Sequence, residues 1–433
     1  MSLRQNALLL AVLTALLAIV GNWSEDAALR SVWLLPFAFL LVGLAYEGWL
    51  STRAGLSVSM SAQREHCVLG RPALLRLTMS HRLKRSVVVE IAPDPPLSVD
   101  VDTVLQTATI PAGESAEVTL RATPRRLGQH TWPNLRVRIA GSLGLAWWPR
   151  PVAPQFTMRV MPDLLGGDTR QLGAAGAGTR SRLLVGAGGE VLQLRDYRPG
   201  DPLHVIDWKA TARSNRLVSR DFSEDQHLEI MLAVDAGRAS ALRAGDLDRF
   251  GHYANIAARF AEHAVSQDDQ VGLVIFADRA LVAIAPGRGI GTVSRIRATL
   301  AATKPAAAES NPLNAALRIR SLVRHRSLVV MLTDLDDVTV AGQLASAARL
   351  LLPKHLPLVA GLSSPEAQTL SHTEAKAWLD PYESLAAQEY CARLERNAAG
   401  LRALGAPTLL ARPQQMERAV FETYEEFRRR RRI

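Results

Sequence analysis

The sequence lacks the motifs that would identify most enzymes. Only 2 of its 433 residues are cysteine, Cys67 and Cys391, and they lie too far apart to indicate a zinc motif or a disulfide framework. It contains no Gly-x-Ser-x-Gly or His-Glu-x-x-His, and no glycine-rich stretch is followed by the Lys-Ser/Thr of a P-loop. We therefore expect a non-enzymatic protein of a reducing compartment, with any ATP dependence supplied by a partner.

The basic charge is modest and concentrated in one place. The formal net charge is +10, and residues 428–432 are all arginine. Such a tail favours contact with anionic lipid, at about 1 kcal/mol per basic residue near the surface, or a solvated helix end whose cations suit the helix dipole. No aromatic residues alternate with these arginines to stack on bases, so we expect no nucleic-acid partner.

Two apolar segments lie near the N-terminus, at residues 7–21 and 32–46. Each is shorter than the roughly 20 residues of a spanning helix, but flanking aromatic residues extend it toward the membrane interface. A signal peptide is the alternative for the first segment, although Gly21-Asn22-Trp23 is a poor cleavage site. Because the second segment follows so closely, the pattern favours a transmembrane helical hairpin within residues 1–55.

The charges around these segments predict their orientation. Arg4 precedes the first segment and Arg53 follows the second, whereas the connecting loop carries Glu25 and Asp26 against Arg30. The positive-inside rule places both ends in the cytoplasm. We expect a multi-pass protein that contacts the lipid bilayer and has cytoplasmic soluble domains.

Residues 56–162 show short alternating strands separated by Pro/Gly turns. The predicted strands are residues 56–60, 75–79, 87–91, 107–110, 117–121 and 135–139. Regularly spaced strands of this kind predict an antiparallel β-sandwich. Residues 163–190 follow as a linker rich in glycine and alanine.

Residues 228–433 alternate apolar strands with helices and end in the basic tail. The predicted strands are residues 228–234, 270–276, 281–285, 328–332, 356–362 and 408–411. This alternation is typical of a mostly parallel sheet covered by helices on both faces, an α/β fold. Ligands of such sheets bind at the carboxyl ends of the strands.

Residues 194–222, which we call the charged segment, contain the densest mixture of charged and aromatic residues in the chain. They lie within residues 191–227, a region between the linker and the predicted α/β fold. Its candidate partner-binding residues are Arg195, Tyr197, Gly200, Asp201, Asp207, Trp208, Lys209, Arg213 and Arg220. Mixed charges beside aromatic rings favour a partly buried ion-pair network, since arginine pairs bidentately with carboxylates. We expect a turn at Pro199-Gly200, a helix start capped by Asp201, and a short helix at 206–213.

Three blocks of this region carry a resemblance to a known family: residues 188–190, 194–201 and 206–213. They resemble the signature of the bacterial domain-of-unknown-function 58 family, and the whole chain is similar to that family's membrane hairpin, β-domain and von Willebrand factor A-like domain. The resemblance implies a bacterial inner-membrane protein. By genomic association it also implies a scaffold or adaptor for a MoxR-type AAA+ ATPase that assembles or remodels envelope-associated complexes.

Two predicted strands end in acid, at Asp235 and Asp334. The A-like resemblance implies a metal-ion-dependent adhesion site here, formed by an Asp-x-Ser-x-Ser loop, a threonine and a second aspartate. In this sequence Gly237 and Ala239 replace the serines, and the threonine position falls near Asn311. Because glycine and alanine supply no side-chain oxygen, we expect no cofactor. A degenerate Mg²⁺ or Ca²⁺ site at Asp235, Asp334 and Asn311 is the alternative.

The sequence therefore leaves two alternative functions open besides that of a scaffold. One is a divalent-cation-dependent, adhesion-type protein-binding module. The other is a metal-dependent hydrolase, because Asp201, Asp207 and Lys209 form an Asp-x(5)-Asp-x-Lys pattern. Nuclease-type sites usually draw their acids from adjacent strands, whereas these acids flank a turn and a short helix, so the scaffold is the leading hypothesis.

Overall fold

The computed structural model describes residues 2–23, 26–102, 105–165, 185–186, 190–223, 228–372, 374 and 376–429. Most of the predicted linker, the first signature block up to residue 189, and the last arginines of the tail lie outside these ranges. The fold is mixed α/β with several sheets. The chain divides into two compact units. The first comprises residues 1–162, 238–255 and 297–307, and the second comprises 163–237, 256–296 and 308–433. The domain boundaries expected from the sequence stay predictions.

The first unit begins with two apolar helices, Gln5–Asn22 and Leu34–Arg53, joined by the short helix Ala27–Ser31. Both long helices are long and apolar enough to span a membrane, judged by length and composition. Large aliphatic side chains such as Leu35 and Val42 remain exposed along them. Exposed apolar faces of this kind are consistent with a membrane anchor.

The β-strands of the first unit form small, largely antiparallel sheets. The first sheet has the order Ser2–Leu3, Ala146–Val152, Asn134–Ala140, Val87–Asp94 and Gln106–Ile110. The second has the order Ser57–Ala62, Ala73–Ser80, Ser115–Pro124 and Val99–Val101. A third joins Cys67–Val68, Thr157–Met161 and Gly128–Thr131, and Arg243–Ala244 pairs with Leu247–Asp248. One hydrophobic core takes alternate residues from the first two sheets, including Leu75 and Leu77 from one and Val89 and Ile91 from the other.

A buried glutamate ties the second apolar helix to this β-structure. Glu47 is 1% exposed, and its Oε1 accepts hydrogen bonds from the backbone N–H groups of Leu143 at 2.6 Å and Leu145 at 3.2 Å. Its Oε2 accepts another from Ala146 at 3.1 Å. Burial of a carboxylate is tolerable when several donors share its charge, so this contact joins the helix to the loop at 141–146.

The second unit is built on a six-stranded sheet. Its order is Ala280–Gly287, Gln270–Phe276, Glu229–Asp235, Leu328–Leu332, Leu356–Leu362 and Thr408–Ala411. All neighbouring pairs are parallel except the edge strand Ala280–Gly287, which runs antiparallel to Gln270–Phe276. The central strands are buried almost throughout, as expected of strands covered on both faces. The predicted mostly parallel sheet is therefore confirmed.

Helices alternate with these strands. The α-helices from the charged segment onward are Trp208–Ser214, Arg249–Ser266, Ile290–Ala302, Pro312–Leu322, Val338–Leu351, Pro365–Leu370, Asp380–Ala403 and Pro413–Arg429. Short 3₁₀ turns occur at Leu203–Val205 and Arg238–Ala241. The alternating pattern predicted helices at residues 246–267, 292–302, 311–324, 340–352 and 413–430, and each corresponds to a helix of the structure to within a few residues. Pro365–Leu370 and Asp380–Ala403 were not predicted.

Candidate functional site

The charged segment folds as a β-hairpin with a long, ordered connection. Glu190–Asp196 pairs antiparallel with Val218–Ser223, so that Asp196 lies opposite Val218. The connection turns at Gly200, whose φ of +107° favours glycine, and then forms the 3₁₀ turn Leu203–Val205 and the helix Trp208–Ser214. An isolated bridge between Ile206 and Ser219 closes the connection back onto the hairpin.

The first ion pair of the segment joins Arg195 to Asp201. The two terminal nitrogens of Arg195 donate to the two carboxylate oxygens of Asp201 at 2.7 and 2.9 Å, a bidentate pairing. The backbone N–H of Arg198 and the hydroxyl of Ser219 also donate to Oδ2, at 3.0 and 3.2 Å. The Arg195 hydrogen bonds, followed by that from Arg198, hold the pKa of Asp201 far below its ordinary value. Asp201 is therefore ionised throughout the physiological range.

The second ion pair joins Arg220 to Asp207 at 3.0 Å. Asp207 Oδ1 also accepts the backbone N–H groups of Lys209 and Ala210, so this residue is the N-cap of the helix Trp208–Ser214. The hydrogen bond from Ala210 and then the pairing with Arg220 lower the pKa of Asp207. The short helix predicted at 206–213 is therefore confirmed and begins two residues later, whereas the expectation that Asp201 caps a helix was wrong. Asp201 closes the turn, and Asp207 caps.

The remaining predicted residues of the segment have simpler environments. The backbone N–H of Tyr197 donates to Leu217, while Lys209 and Arg213 are exposed. Trp208 is 62% exposed, although the sequence placed it beside an ion-pair network. It belongs to an exposed apolar set on this one segment: Leu194, Leu203, Trp208 and Leu217.

The hydrolase pattern does not assemble into a shared acid cluster. Asp201 and Asp207 each form their ion pair with a different arginine, Arg195 and Arg220. Lys209 approaches Asp207 through its backbone N–H, and no ion pair to its side chain occurs in the part of the chain that the structure describes. Both carboxylates therefore act here as structural acceptors.

The ends of the parallel strands form a second candidate site, the strand-end cluster: Asp235, Ser310, Thr333 and Asp334. Asp235 is the last residue of Glu229–Asp235 and is fully buried. Its Oδ1 accepts from the Gly237 N–H at 2.8 Å and from the Ser310 hydroxyl at 2.5 Å. Its Oδ2 accepts from the Thr333 hydroxyl at 2.6 Å. Thr333 and Asp334 follow the neighbouring strand Leu328–Leu332 directly, and Asp334 is 4% exposed.

The hydroxyl of Ser310 occupies the space that a side chain at position 237 would need. A Cβ atom at position 237 would lie 2.1 Å from the Ser310 hydroxyl, 3.1 Å from the carbonyl of Ala308 and 3.2 Å from Asp235 Oδ1. The space that a serine would occupy in an Asp-x-Ser-x-Ser loop is thus filled by a hydroxyl from another part of the chain.

The metal site predicted at Asp235, Asp334 and Asn311 stays a prediction. Asn311 caps its own helix, Pro312–Leu322, by accepting the backbone N–H of Asn314 at 3.1 Å. The side chains that donate hydrogen bonds to Asp235 are those of Ser310 and Thr333, and neither was among the residues predicted from the sequence. Two features of the sequence could have pointed to these residues. Ser310 immediately precedes Asn311, and Thr333 immediately precedes Asp334 at the end of a predicted strand.

The donor chemistry of the strand-end cluster suits a hard cation. Carboxylate and hydroxyl oxygens are the ligands that Mg²⁺ and Ca²⁺ prefer. Asp235, Ser310, Thr333 and Asp334 would be the residues to hold such an ion, which would supply a positive charge for a partner's carboxylate. Among the described residues no group of three or more His, Cys, Asp or Glu side chains could hold a metal, so the cluster would depend on its hydroxyls.

Comparison with known proteins places the charged segment and much of the sheet in one family model. Residues 193–376 match "Protein of unknown function DUF58", a match covering somewhat under half of the chain. No curated protein matches the sequence.

Similar solved structures include the conserved hypothetical protein BatB from Bacteroides thetaiotaomicron, with 12% identity, a TM-score of 0.34, and coverage of 47% of this chain and 99% of BatB. Another is proximal thread matrix protein 1 from the mussel byssus, with 16% identity, a TM-score of 0.25, and coverage of 32% of this chain and 36% of that protein. The same mussel protein with a zinc occupied MIDAS motif matches with 13% identity, a TM-score of 0.23, and coverage of 32% and 36%. Similarity at this level assigns neither fold nor ligand to this chain.

Proposed function

We propose that this protein is a membrane-anchored, cytoplasm-facing scaffold that docks a MoxR-type AAA+ ATPase and carries out no reaction of its own. The proposal assigns a von Willebrand A-like fold to the six-stranded sheet and its helices, and a β-sandwich to the sheets of the first unit. Two apolar helices support the anchor, and the family match at residues 193–376 supports the assignment of the charged segment. The choice of ATPase rests on the genomic association implied by the family resemblance.

The observation that carries the docking proposal is the exposed apolar set on an ordered segment. Trp208 and Leu203 are 62% and 72% exposed, although the residues around them are fixed by two arginine–carboxylate pairs. Tryptophan is enriched among the residues that dominate binding energy in protein interfaces. Because the ion pairs already order the segment, binding there would cost little conformational entropy.

The test measures binding between the full-length, detergent-solubilised protein and a purified MoxR-type ATPase from the same genome, with and without nucleotide. Trp208→Ala should weaken binding by about 30-fold, corresponding to roughly 2 kcal/mol for a dominant interface residue. Trp378→Ala is the matched control, since Trp378 is equally large, is 78% exposed and lies outside the charged segment. Absence of binding under both nucleotide conditions, or equal loss in the two variants, would contradict the proposal.

A second candidate is cation-dependent protein binding at the strand-end cluster. The observation in its favour is the set of buried hydroxyls on Asp235, which compensates for the missing serines. If this candidate is correct, a chelator should abolish partner binding and added Mg²⁺ or Ca²⁺ should restore it. Asp235→Ala should also abolish binding, while Trp208→Ala should not.

A further inference from the structure

A large cavity lies at the carboxyl ends of two parallel strands, and its lining includes no residue of the charged segment or of the strand-end cluster. It has a volume of about 840 Å³ and opens beside Leu356–Leu362 and Thr408–Ala411. Small-molecule sites commonly have volumes of roughly 300–1,000 Å³ and favour this edge of a parallel sheet. The helices Pro365–Leu370 and Asp380–Ala403 supply the rest of its lining.

A residue in the lining of this cavity carries a buried hydroxyl that has no hydrogen-bond partner among the described residues. Ser363 directly follows the strand Leu356–Leu362, is 6% exposed and lines the cavity. Its backbone N–H donates to Ala411, but its hydroxyl has no hydrogen-bond partner among the described residues. A buried polar group without a partner costs free energy, so its presence indicates that something else satisfies it.

Arg412 is the neighbour of Ser363 in the sheet register, and its side chain also lines the cavity. Leu362 pairs with Ala411, so the residues that follow, Ser363 and Arg412, leave the sheet side by side. Gln368 Oε1 accepts the Nε–H of Arg412 at 2.8 Å, which fixes the plane of the guanidinium. Arg412 forms no ion pair within the described parts of the chain. An arginine held in this way can bind an oxyanion through its two terminal nitrogens.

Apolar side chains line another part of the cavity. Leu394 and Leu410 lie beside the polar group formed by Ser363, Gln368 and Arg412. A ligand that satisfies both parts has an anionic end and an apolar body. The only acid among the lining residues, Glu395, already accepts a hydrogen bond from Arg402 at 2.7 Å.

We propose that this cavity binds a small organic anion, with its carboxylate or phosphate on Arg412 and Ser363 and its apolar body against Leu394 and Leu410. This site is separate from the docking surface, so neither proposal depends on the other. Gln368 is a positioning residue in this scheme, since it acts through Arg412.

A cysteine in the cavity wall provides the readout. Cys391 lines the cavity and is half-buried, whereas Cys67 is buried in the other unit, where burial raises the pKa of its thiol. A thiol reagent should therefore modify Cys391 first, and Cys391→Ser should remove the fast phase. The test measures this rate on the full chain in detergent while benzoate or inorganic phosphate is titrated. Saturable protection by benzoate indicates a carboxylate ligand, and protection by phosphate indicates a phosphoryl ligand.

Variants distinguish protection of Cys391 by an anion bound at Arg412 from simple steric shielding of the thiol. Arg412→Gln should weaken protection about tenfold or more, the effect of losing a charge-assisted hydrogen bond. Arg396→Gln is the matched control, because Arg396 is an exposed arginine on the same helix as Cys391 and does not line the cavity. Ser363→Ala should weaken protection without lowering the unfolding temperature, since the hydroxyl has no partner to lose in the described part of the chain. Protection by neither anion, or equal protection in Arg412→Gln and the native chain, would overturn the proposal.

Discussion

The contact between position 237 and Ser310 gives the sharpest prediction. Gly237→Ala should destabilise the second unit, because the new Cβ would lie 2.1 Å from the Ser310 hydroxyl. The backbone at Gly237 is not in the left-handed region, so alanine meets no conformational strain and the effect is purely one of space. Relief of the clash requires Ser310 to move, and this breaks its hydrogen bond to the buried Asp235.

The expected loss of stability is the sum of the steric clash and the broken hydrogen bond. Overpacking a buried site costs about 1–3 kcal/mol, and losing a hydrogen bond to a charged group costs about 2 kcal/mol. Gly237→Ala should therefore cost about 3–5 kcal/mol in the free energy of unfolding. Ser310→Ala alone removes only the hydrogen bond, and should cost about 2 kcal/mol.

The double variant tests the geometry. In Gly237→Ala/Ser310→Ala the obstructing oxygen is gone, leaving contacts of 3.1 and 3.2 Å that small shifts can relieve. The pair should therefore be little less stable than Ser310→Ala alone, giving a coupling close to the whole cost of Gly237→Ala, about 3–5 kcal/mol.

Denaturant unfolding of the full chain, followed by amide hydrogen exchange of the strands Glu229–Asp235 and Leu328–Leu332, gives a midpoint and a free energy for the second unit itself. Gly342→Ala, at a helix position with open space around it, should be neutral or slightly stabilising. A native midpoint for Gly237→Ala, or additive losses in the double variant, would refute the placement of Ser310.

Three further predictions concern other carboxylates. The pKa of Asp201 is depressed by Arg195, so the stabilisation it contributes is complete above about pH 4 and is lost as pH falls through the folded-state pKa. The protection factors of the amides in residues 194–222, which are corrected for the intrinsic pH dependence of exchange, should therefore fall only below about pH 4, and Asp201→Asn should remove this fall. Tyr424→Phe should lower the free energy of unfolding by about 2 kcal/mol, because the Tyr424 hydroxyl donates to buried Asp269. Glu47→Gln should accelerate exchange of the amides at 143–146 about tenfold, because an amide nitrogen cannot accept a hydrogen bond.

The sequence predicted the elements of the central sheet because each depends on a local pattern. Runs such as residues 328–332 are apolar throughout and are bounded by polar residues, which is typical of a strand buried on both faces. The sequence also predicted arginine–carboxylate ion pairs in the charged segment, and Arg195 and Asp201 can form one because both flank one tight turn. The choice between Asp201 and Asp207 as the helix cap was not, because each precedes a sequence that can start a helix.

Other features depend on contacts that no local pattern encodes. Ser310 reaches Asp235 across 75 residues of sequence, and nothing in its own neighbourhood marks it as part of that cluster. The helix Asp380–Ala403 was missed because its inward face is mostly alanine and leucine at wide spacing, while Tyr382 and Leu385 on it are exposed. Without that helix the cavity beside Ser363 could not be predicted either, since the helix forms one of its walls.

The charged segment carries two kinds of apolar residue, and the difference between them indicates what the segment is for. Ile206 and Val218 are buried, at 4% and 7% exposure, and they account for its attachment to the fold. Trp208 and Leu203 contribute little to that attachment, since most of their surface stays in water. A seven-residue helix is too short to be stable by itself, so Trp208–Ser214 exists because Asp207 caps it and Arg220 holds Asp207. Polar tertiary contacts thus maintain a helix whose first residue is an exposed tryptophan, and this leaves the indole surface free for the docking proposed above.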